Sequence, residues 1–183
     1  FGVRAVPYRD PLTGTMILSL LALSESQRKP SNGIRVHVVS ETGRGVRLMY
    51  ELQQAGFTVT TGVLGAGTTD RMAADILGIE YVPLPAFSVI DDDSYAKHLS
   101  LVESSDLAVL CDMDMGINNI RNVEAFRAAR RLVIIDPEPF VKRNAANEVG
   151  QKLFEELRPM ARCHTVAKAI EIIQETIPSI PRT

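Results

Sequence analysis

Short apolar runs alternate with amphipathic stretches from Ile34 to the end of the chain. The runs predict about six strands, since near-continuous apolar segments of this length are typical of strands buried on both faces. They lie at 36–39, 57–64, 79–82, 107–111, 132–135 and 162–164. The stretches between them predict helices at 46–55, 70–77, 91–103, 122–129, 145–157 and 167–176. This alternation predicts an α/β fold, a doubly wound, mostly parallel Rossmann-like sheet with helices on both faces.

The long connection between residues 82 and 106 is where the order of such a sheet would reverse. Right-handed crossovers then favour the strand order 3-2-1-4-5-6. Doubly wound sheets bind ligands where the carboxyl ends of the first and fourth strands meet. In this chain those ends are followed by residues 40–45 and 112–119, which are the predicted crevice.

The first 33 residues differ from the rest of the chain in their pattern of apolar and polar positions. Residues 1–8 and 15–21 favour β-structure and flank the turn sequence Asp-Pro-Leu-Thr-Gly at 10–14, which predicts a two-stranded hairpin. Such a hairpin is marginal alone and needs a surface to pack on. The polar segment that follows predicts a linker. The predicted organisation is a hairpin over 1–23, a linker over 24–33 and a Rossmann-like domain over 34–183.

Composition narrows the possible partners. The 183 residues are 45% hydrophobic and 23% charged, as in soluble globular proteins, and the net charge is −2. This balance argues against nucleic acid or an anionic membrane surface as the main partner, but leaves room for a small anion site. Cys111 and Cys163 have no zinc-binding spacing, so a reducing cytoplasm is the simplest compartment.

The first crevice loop has the features of an anion site. Its predicted ligand contacts are Ser40, Thr42, Gly43, Arg44 and Gly45, because the loop opens a helix whose backbone N–H groups and dipole attract phosphate or carboxylate. A full dinucleotide motif would need a third glycine where Leu48 stands, and an acid at the end of the second strand. Ordinary NAD binding is therefore disfavoured.

Two arginines at the start of this helix allow two interpretations. Arg44 and Arg47 oppose the helix dipole, which favours an anion or a carboxylate nearby. Alternatively, Arg47 pairs with Glu51 one turn later.

A second loop, after the second strand, adds Gly65, Gly67 and Thr68 to the predicted ligand contacts. Gly67 allows close approach of a ligand, and Thr69 is predicted to cap the next helix. Tight-turn geometry alone is the alternative explanation for both glycines.

The third loop carries two carboxylates after the fourth strand. Asp112, Asp114, Gly116 and Asn119 are predicted ligand contacts, and the carboxylates could hold Mg²⁺ beside a nucleotide or other phosphate. The alternative is that Asp112 caps a turn and Asn119 caps a helix. Asp136, after the fifth strand, faces the same rim and also has a turn-forming alternative.

The three histidines suggest no catalytic group. His37 is predicted to be a core residue of the first strand, His98 to lie on a helix surface, and His164 to end a late strand. Neither a Ser-His-Asp arrangement nor a Cys-His dyad is visible in the sequence.

Two parts of the chain resemble one transporter family. The opening Phe-Gly-Val with the 10–14 turn resembles the terminal hairpin of ATP-binding subunits of ABC importers for iron-siderophores, haem or cobalamin. The remainder resembles an extra C-terminal domain carried by some of those ATPases. The matching segments are Gly43-x-Gly45, AGFTVTTGVLGAGTTD (55–70), PLPAFSVID (83–91) and SDLAVLCDMDMG (105–116) leading to Asn119 and Asn122. The resemblance implies that the hairpin over 1–23 is the remnant of a preceding ATPase domain. It also implies ATPase and membrane subunits as partners, and a cytoplasmic position at the inner face of the membrane.

The chain lacks the motifs of ATP hydrolysis. It has no G-x-x-x-x-G-K-[ST] loop, no LSGGQ-like signature and no Walker B strand followed by Glu. The first hypothesis is therefore an accessory or regulatory domain that binds a small anionic ligand or nucleotide. The second is a free-standing enzyme for a nucleotide or phosphoribosyl substrate, using Asp112 and Asp114. The third is a structural module that forms a homodimer or contacts the transporter, with residues 17–23 in the interface.

Overall fold

A computed structural model describes residues 31–40, 44–64, 68–84, 90–111, 124–135, 152, 156–157 and 159–176. The strands are β1 (Arg35–Ser40), β2 (Thr58–Leu64), β3 (Glu80–Leu84), β4 (Leu107–Cys111), β5 (Leu132–Ile135) and β6 (Ala161–Cys163). The helices are α1 (Arg44–Gln54), α2 (Thr68–Leu77), α3 (Asp92–Glu103) and α4 (Val166–Thr176), with a short 3₁₀ helix at Ala125–Ala128.

The six strands form one parallel sheet in the order β3-β2-β1-β4-β5-β6. The predicted fold class and strand order are therefore confirmed. The register pairs Ser40 with Val63 on one side and with Cys111 on the other, so the carboxyl ends of β1 and β4 lie side by side. The topology thus creates the crevice position that the sequence predicts.

Glycines end two of the helices, as their positions in the sequence predict. Gly56 follows α1 with a φ of 93°, and Gly78 follows α2 with a φ of 63°. Backbone at these angles is left-handed and favours glycine over residues with a side chain. Each helix can then turn directly into the next strand.

The two faces of the sheet have separate cores. On the first face, α1, α2 and α4 pack on β1, β4 and β5 residues that include Val36, Val38 and Val109. On the second face, α3 and the 3₁₀ helix pack on a cluster that includes Val39, Leu84, Leu110, Phe126 and Ile134. Because successive strand residues point to opposite faces, β1 contributes Val36 and Val38 to the first face and His37 and Val39 to the second.

Three local predictions differ from the structure or lie outside it. Helix α2 begins at Thr68, so Thr69 lies within the helix and is not its cap. The described part of the helix predicted at 122–129 is the 3₁₀ helix, preceded by Glu124. The predicted hairpin over 1–23, most of the linker and most of the helix at 145–157 lie outside the described residues.

The described helices are too short or too polar to cross a membrane.

Candidate functional site

Ser40 connects the end of β1 to the start of α1. Its side chain is fully buried, and its Oγ accepts a hydrogen bond of 3.0 Å from the backbone N–H of Gly45. The last residue of the strand therefore holds the first turn of the helix. This brings the amino end of α1 to the carboxyl edge of the sheet, beside β4.

Gly45 stands where no side chain fits. A Cβ at this position would lie 2.5 Å from the Ser40 Cβ, 2.7 Å from the Ser40 Oγ and 3.0 Å from Oδ1 of Asp70. Real Cβ atoms do not approach other atoms so closely, so glycine is required for α1 to pack against β1 and α2. Its N–H is engaged by Ser40, inside the protein.

The Asp70 carboxylate is a buried part of this site that the sequence analysis did not single out. The residue is 1% exposed and lies in the first turn of α2, with Oδ1 facing the position of the missing Gly45 Cβ. The positive amino ends of α1 and α2 both favour a negative charge there. The signal was present in the sequence: residues 70, 73, 74 and 77 have the spacing of one helical stripe, and Ala73, Ala74 and Leu77 are buried.

The start of α1 carries no carboxylate in its first turn. Arg47 donates through Nε to Oε1 of Glu51 at 2.7 Å, and both side chains remain substantially exposed. The pairing alternative for Arg47 is thus confirmed. Arg44 is the first residue of the helix, and it remains the predicted basic contact for an anion.

The structure brings Ser40 and Gly45 together and adds Asp70 to them. Thr68 is the first residue of α2. The other predicted contacts lie outside the described residues: Thr42, Gly43, Gly65, Gly67, Asp112, Asp114, Gly116, Asn119 and Asp136. Within the part of the chain that is described, His, Cys, Asp and Glu residues form no group of three or more that could hold a metal ion.

The two cysteines lie on the first face of the sheet. Both are buried, and no disulfide joins them. Cys163 donates through Sγ to the carbonyl oxygen of Ile134 at 3.7 Å, and burial raises the pKa of its thiol. A higher pKa means less thiolate at neutral pH, so Cys163 is a structural residue rather than a reactive one.

A second buried polar group lies away from this edge, on the second face. His37 and His98 are both fully buried, so the prediction of a core histidine at 37 is confirmed and that of a surface histidine at 98 is wrong. Nε2 of His37 lies 3.2 Å from Nδ1 of His98, and Nδ1 of His37 lies 2.9 Å from Oγ1 of Thr60. Burial, followed by the charge of His98, lowers the pKa of His37 well below its ordinary value.

The error at His98 has a physical reason. Helix α3 has little apolar patterning and begins with three acidic residues, Asp91 at the N-cap followed by Asp92 and Asp93. From that pattern a histidine in its middle looks solvent-exposed. The structure shows which face of α3 is buried, because it places His37 of β1 opposite His98. An imidazole can be buried when a second polar group forms a hydrogen bond with it.

The sheet, the covering helices and the adjacent carboxyl ends of β1 and β4 define a Rossmann-like α/β protein in which Ser40, Gly45 and Asp70 meet in the interior. The chain belongs to the MJ0874 family, whose family model matches residues 59–173, well over half of its length. The matched region starts in β2 and ends in α4, so it includes Thr60, Asp70 and His98. A search of the curated proteins found no match.

Proposed function

We propose that the chain is a ligand-binding accessory domain that takes a small anion at the carboxyl edge between β1 and β4. The ligand class is a nucleotide or another phosphate-bearing molecule. One observation carries the proposal: the Ser40–Gly45 contact fixes the amino end of α1 at the position where the strand order reverses. Helix amino ends at such positions attract phosphate through the helix dipole and through backbone N–H groups other than that of Gly45, which is already bonded to Ser40.

The charges at this edge support the same class of ligand and restrict it. Arg44 begins α1, and the first turn of that helix itself contains no acidic residue. The buried carboxyl group of Asp70, however, lies at the amino ends of α1 and α2, and we infer that it is ionised because both helix dipoles favour a negative charge there. Since like charges repel, a phosphate whose charge is reduced by Mg²⁺ fits this environment better than a bare one. Asp112 and Asp114 remain the predicted ligands of that ion.

Calorimetric titration of the chain with ATP, ADP, AMP and inorganic phosphate, with and without Mg²⁺, tests this proposal. We expect binding of phosphate-bearing ligands that weakens as salt is added, because the attraction is electrostatic. The Arg44→Gln variant should bind more weakly, whereas Arg47→Gln is the matched control, since Arg47 is already paired with Glu51. Absence of binding by every ligand, or equal losses in the two variants, would contradict the proposal.

We further propose that this domain serves the ATP-binding subunit of an ABC importer for iron-siderophores, haem or cobalamin. The support is the sequence resemblance, which extends over the Gly43-x-Gly45 loop and the segments at 55–70, 83–91 and 105–116. In that role the domain is cytoplasmic and contacts the ATPase and membrane subunits at the inner face of the membrane. The reading frame upstream of residue 1 should then encode a phosphate-binding loop of the G-x-x-x-x-G-K-[ST] type. A start codon immediately before Phe1, with no such loop in the frame, would contradict this role.

A further inference from the structure

The histidine pair, His37 and His98, joins the sheet to α3 through a chain of hydrogen bonds. The chain runs from Thr60 on β2 through His37 on β1 to His98 on α3, with distances of 2.9 and 3.2 Å. A nitrogen–nitrogen hydrogen bond needs one donor and one acceptor, which two neutral imidazoles supply. One added proton still leaves a donor and an acceptor between the two rings, but it puts a charge into a fully buried pair, and a second added proton removes the acceptor.

Helix α3 buries fewer side chains than α1, so the histidine contact makes up a larger share of its packing. Among its twelve residues only His98 and Val102 are buried, while Tyr95, Leu99 and Leu101 pack only partly against the second face. In α1, by contrast, four apolar side chains are completely buried: Val46, Leu48, Met49 and Leu52. Elements with few buried apolar contacts are the ones that open locally at low free energy.

Several apolar side chains lie beside the pair. The ring of Phe126, on the 3₁₀ helix, meets His98 edge-on at 5.6 Å. A Cβ added at Gly62 of β2 would lie within 4 Å of Nε2 of His37, Val39 of β1 and Leu84 of β3, so these groups are close neighbours. Strand β4 contributes Ala108 and Leu110 to the same cluster.

The ionisable groups on these elements fall into two sets. Tyr95 of α3 packs against the same cluster with its phenol ring. The charged side chains lie at the rim with about half of their surface exposed, as Glu80 of β3, Lys97 of α3 and Arg127 of the 3₁₀ helix show. The acidic residues at both ends of α3, Asp91, Asp92, Asp93 and Glu103, are likewise exposed. Among the residues that the structure describes, the polar contacts of His37 are with Thr60 and His98, both uncharged when His98 is neutral, so a charge on His37 would be poorly solvated in the closed form.

We propose that the histidine pair is a proton-operated latch: when it takes up a proton, α3 is released from the sheet while the first face stays packed. Release brings the imidazoles into water, where a charge is well solvated. In the released form each histidine titrates near its ordinary pKa of about 6.5, whereas burial holds the pKa of His37 well below that in the closed form. Protons therefore bind the released form better, and acid favours it.

The pH range follows from this direction. Above about pH 6.5 the two histidines are unprotonated in the closed form and in the released form, so protonation does not favour release and α3 stays on the sheet. As the pH falls below that value, the released fraction should rise by about tenfold per pH unit for each proton taken up. The rise should level off once the pH passes the lowered pKa of His37.

Hydrogen exchange of the unmodified chain between pH 5 and 8, corrected for intrinsic exchange rates, tests the latch. Amides of residues 92–103 should lose protection by about tenfold per pH unit below pH 6.5, before any change at residues 44–54. The double variant His37→Leu/His98→Leu should show a flat profile over 92–103. The variant His164→Gln is the matched control, since His164 is the one exposed histidine among the three, and it should behave as the unmodified chain does.

Two results on the unmodified chain would overturn the proposal, whether or not the variants fold. One is simultaneous loss of protection at 44–54 and 92–103, which would mean global unfolding. The other is constant protection of 92–103 down to pH 5. NMR of histidine-labelled chain adds an independent readout, because the His37 and His98 signals must titrate over the same pH range in which α3 opens.

Discussion

The two faces of the sheet are covered by helices of different character. On the first face, α1, α2 and α4 bury mostly apolar side chains; of the buried polar residues, Ser40 and Asp70 lie at the carboxyl edge, while Gln53 and Thr61 donate to backbone carbonyl oxygens. On the second face, α3 rests on a buried pair of histidines in the middle of the sheet. One strand supplies both environments, because Val36 and Val38 of β1 point to one side and His37 and Val39 to the other.

The two faces of the sheet therefore have different roles in the stability of the protein. The first face contributes most of the close packing, and it also positions α1 at the crevice through Ser40 and Gly45. The second face depends on a buried polar pair, in which burial disfavours the charge that protonation would add. Changes on the first face should therefore lower the free energy of unfolding at every pH. Changes to the histidine pair should alter how that free energy varies with pH.

The largest effect is expected from truncating the first-face core. Leu52 of α1 is completely buried, so Leu52→Ala should lower the free energy of unfolding by about 3 kcal/mol, the lost transfer free energy plus that of the cavity. Leu99→Ala on α3 is the matched change on the second face, where the side chain is only partly buried. Urea unfolding measures both. A loss at Leu99 equal to that at Leu52 would remove the distinction between the faces.

The next effect concerns the contact between α1 and β1. In Gly45→Ala the new methyl group would lie 2.5 Å from the Ser40 Cβ, so the helix or the strand must shift, at a cost of about 1–3 kcal/mol. Ser40→Gly removes the obstructing atoms and should recover part of that loss in the double variant. Urea unfolding of the two single variants and the double variant gives the coupling energy. Strictly additive losses would show that this contact does not limit the packing.

The third effect is the dependence of stability on pH. Since the pKa of His37 is lower in the folded chain than in the unfolded one, the unfolded chain binds more protons in acid. The contribution of His37 to the free energy of unfolding is fully present above about pH 6.5. Below that pH it decreases by at most about 1.4 kcal/mol per pH unit. Urea unfolding at pH 7.5, 6.5 and 5.5 should show this decrease relative to the double variant His37→Leu/His98→Leu. Parallel profiles for the two proteins would contradict the assignment.

Most of the fold could be predicted from the sequence, because its signals are local. Apolar runs such as 107–111 mark strands that are covered on both faces, and Gly56 and Gly78 mark where helices end. Strand order then follows from the handedness of crossovers. The beginning of α2 was misplaced by two residues, since threonine at a helix start resembles a cap whether or not it is one.

The candidate site was less predictable, because its contacts join distant parts of the chain. The Ser40–Gly45 bond spans one loop, and both residues were candidates on sequence grounds. Asp70 acquires its place only when α2 packs beside α1, and His98 only when α3 lies over β1. In each case a polar residue is buried because a partner remote in sequence meets it. The helical stripe of residues 70, 73, 74 and 77 was the one local indication.

The smallest effect is expected on the surface of the first-face helix. Glu51→Gln removes the charge that pairs with Arg47 at 2.7 Å, but both side chains are substantially exposed and one helical turn apart. Such pairs contribute about 0.2–0.5 kcal/mol, and salt screens them. The variant should therefore unfold within about 0.5 kcal/mol of the unmodified chain at low salt, and the difference should shrink at high salt. The variant also frees the Arg47 side chain near the amino end of α1. If it binds phosphate more tightly than the unmodified chain, then pairing with Glu51 is what prevents Arg47 from contacting the ligand. If binding is unchanged, Arg47 is too far from the ligand to contact it.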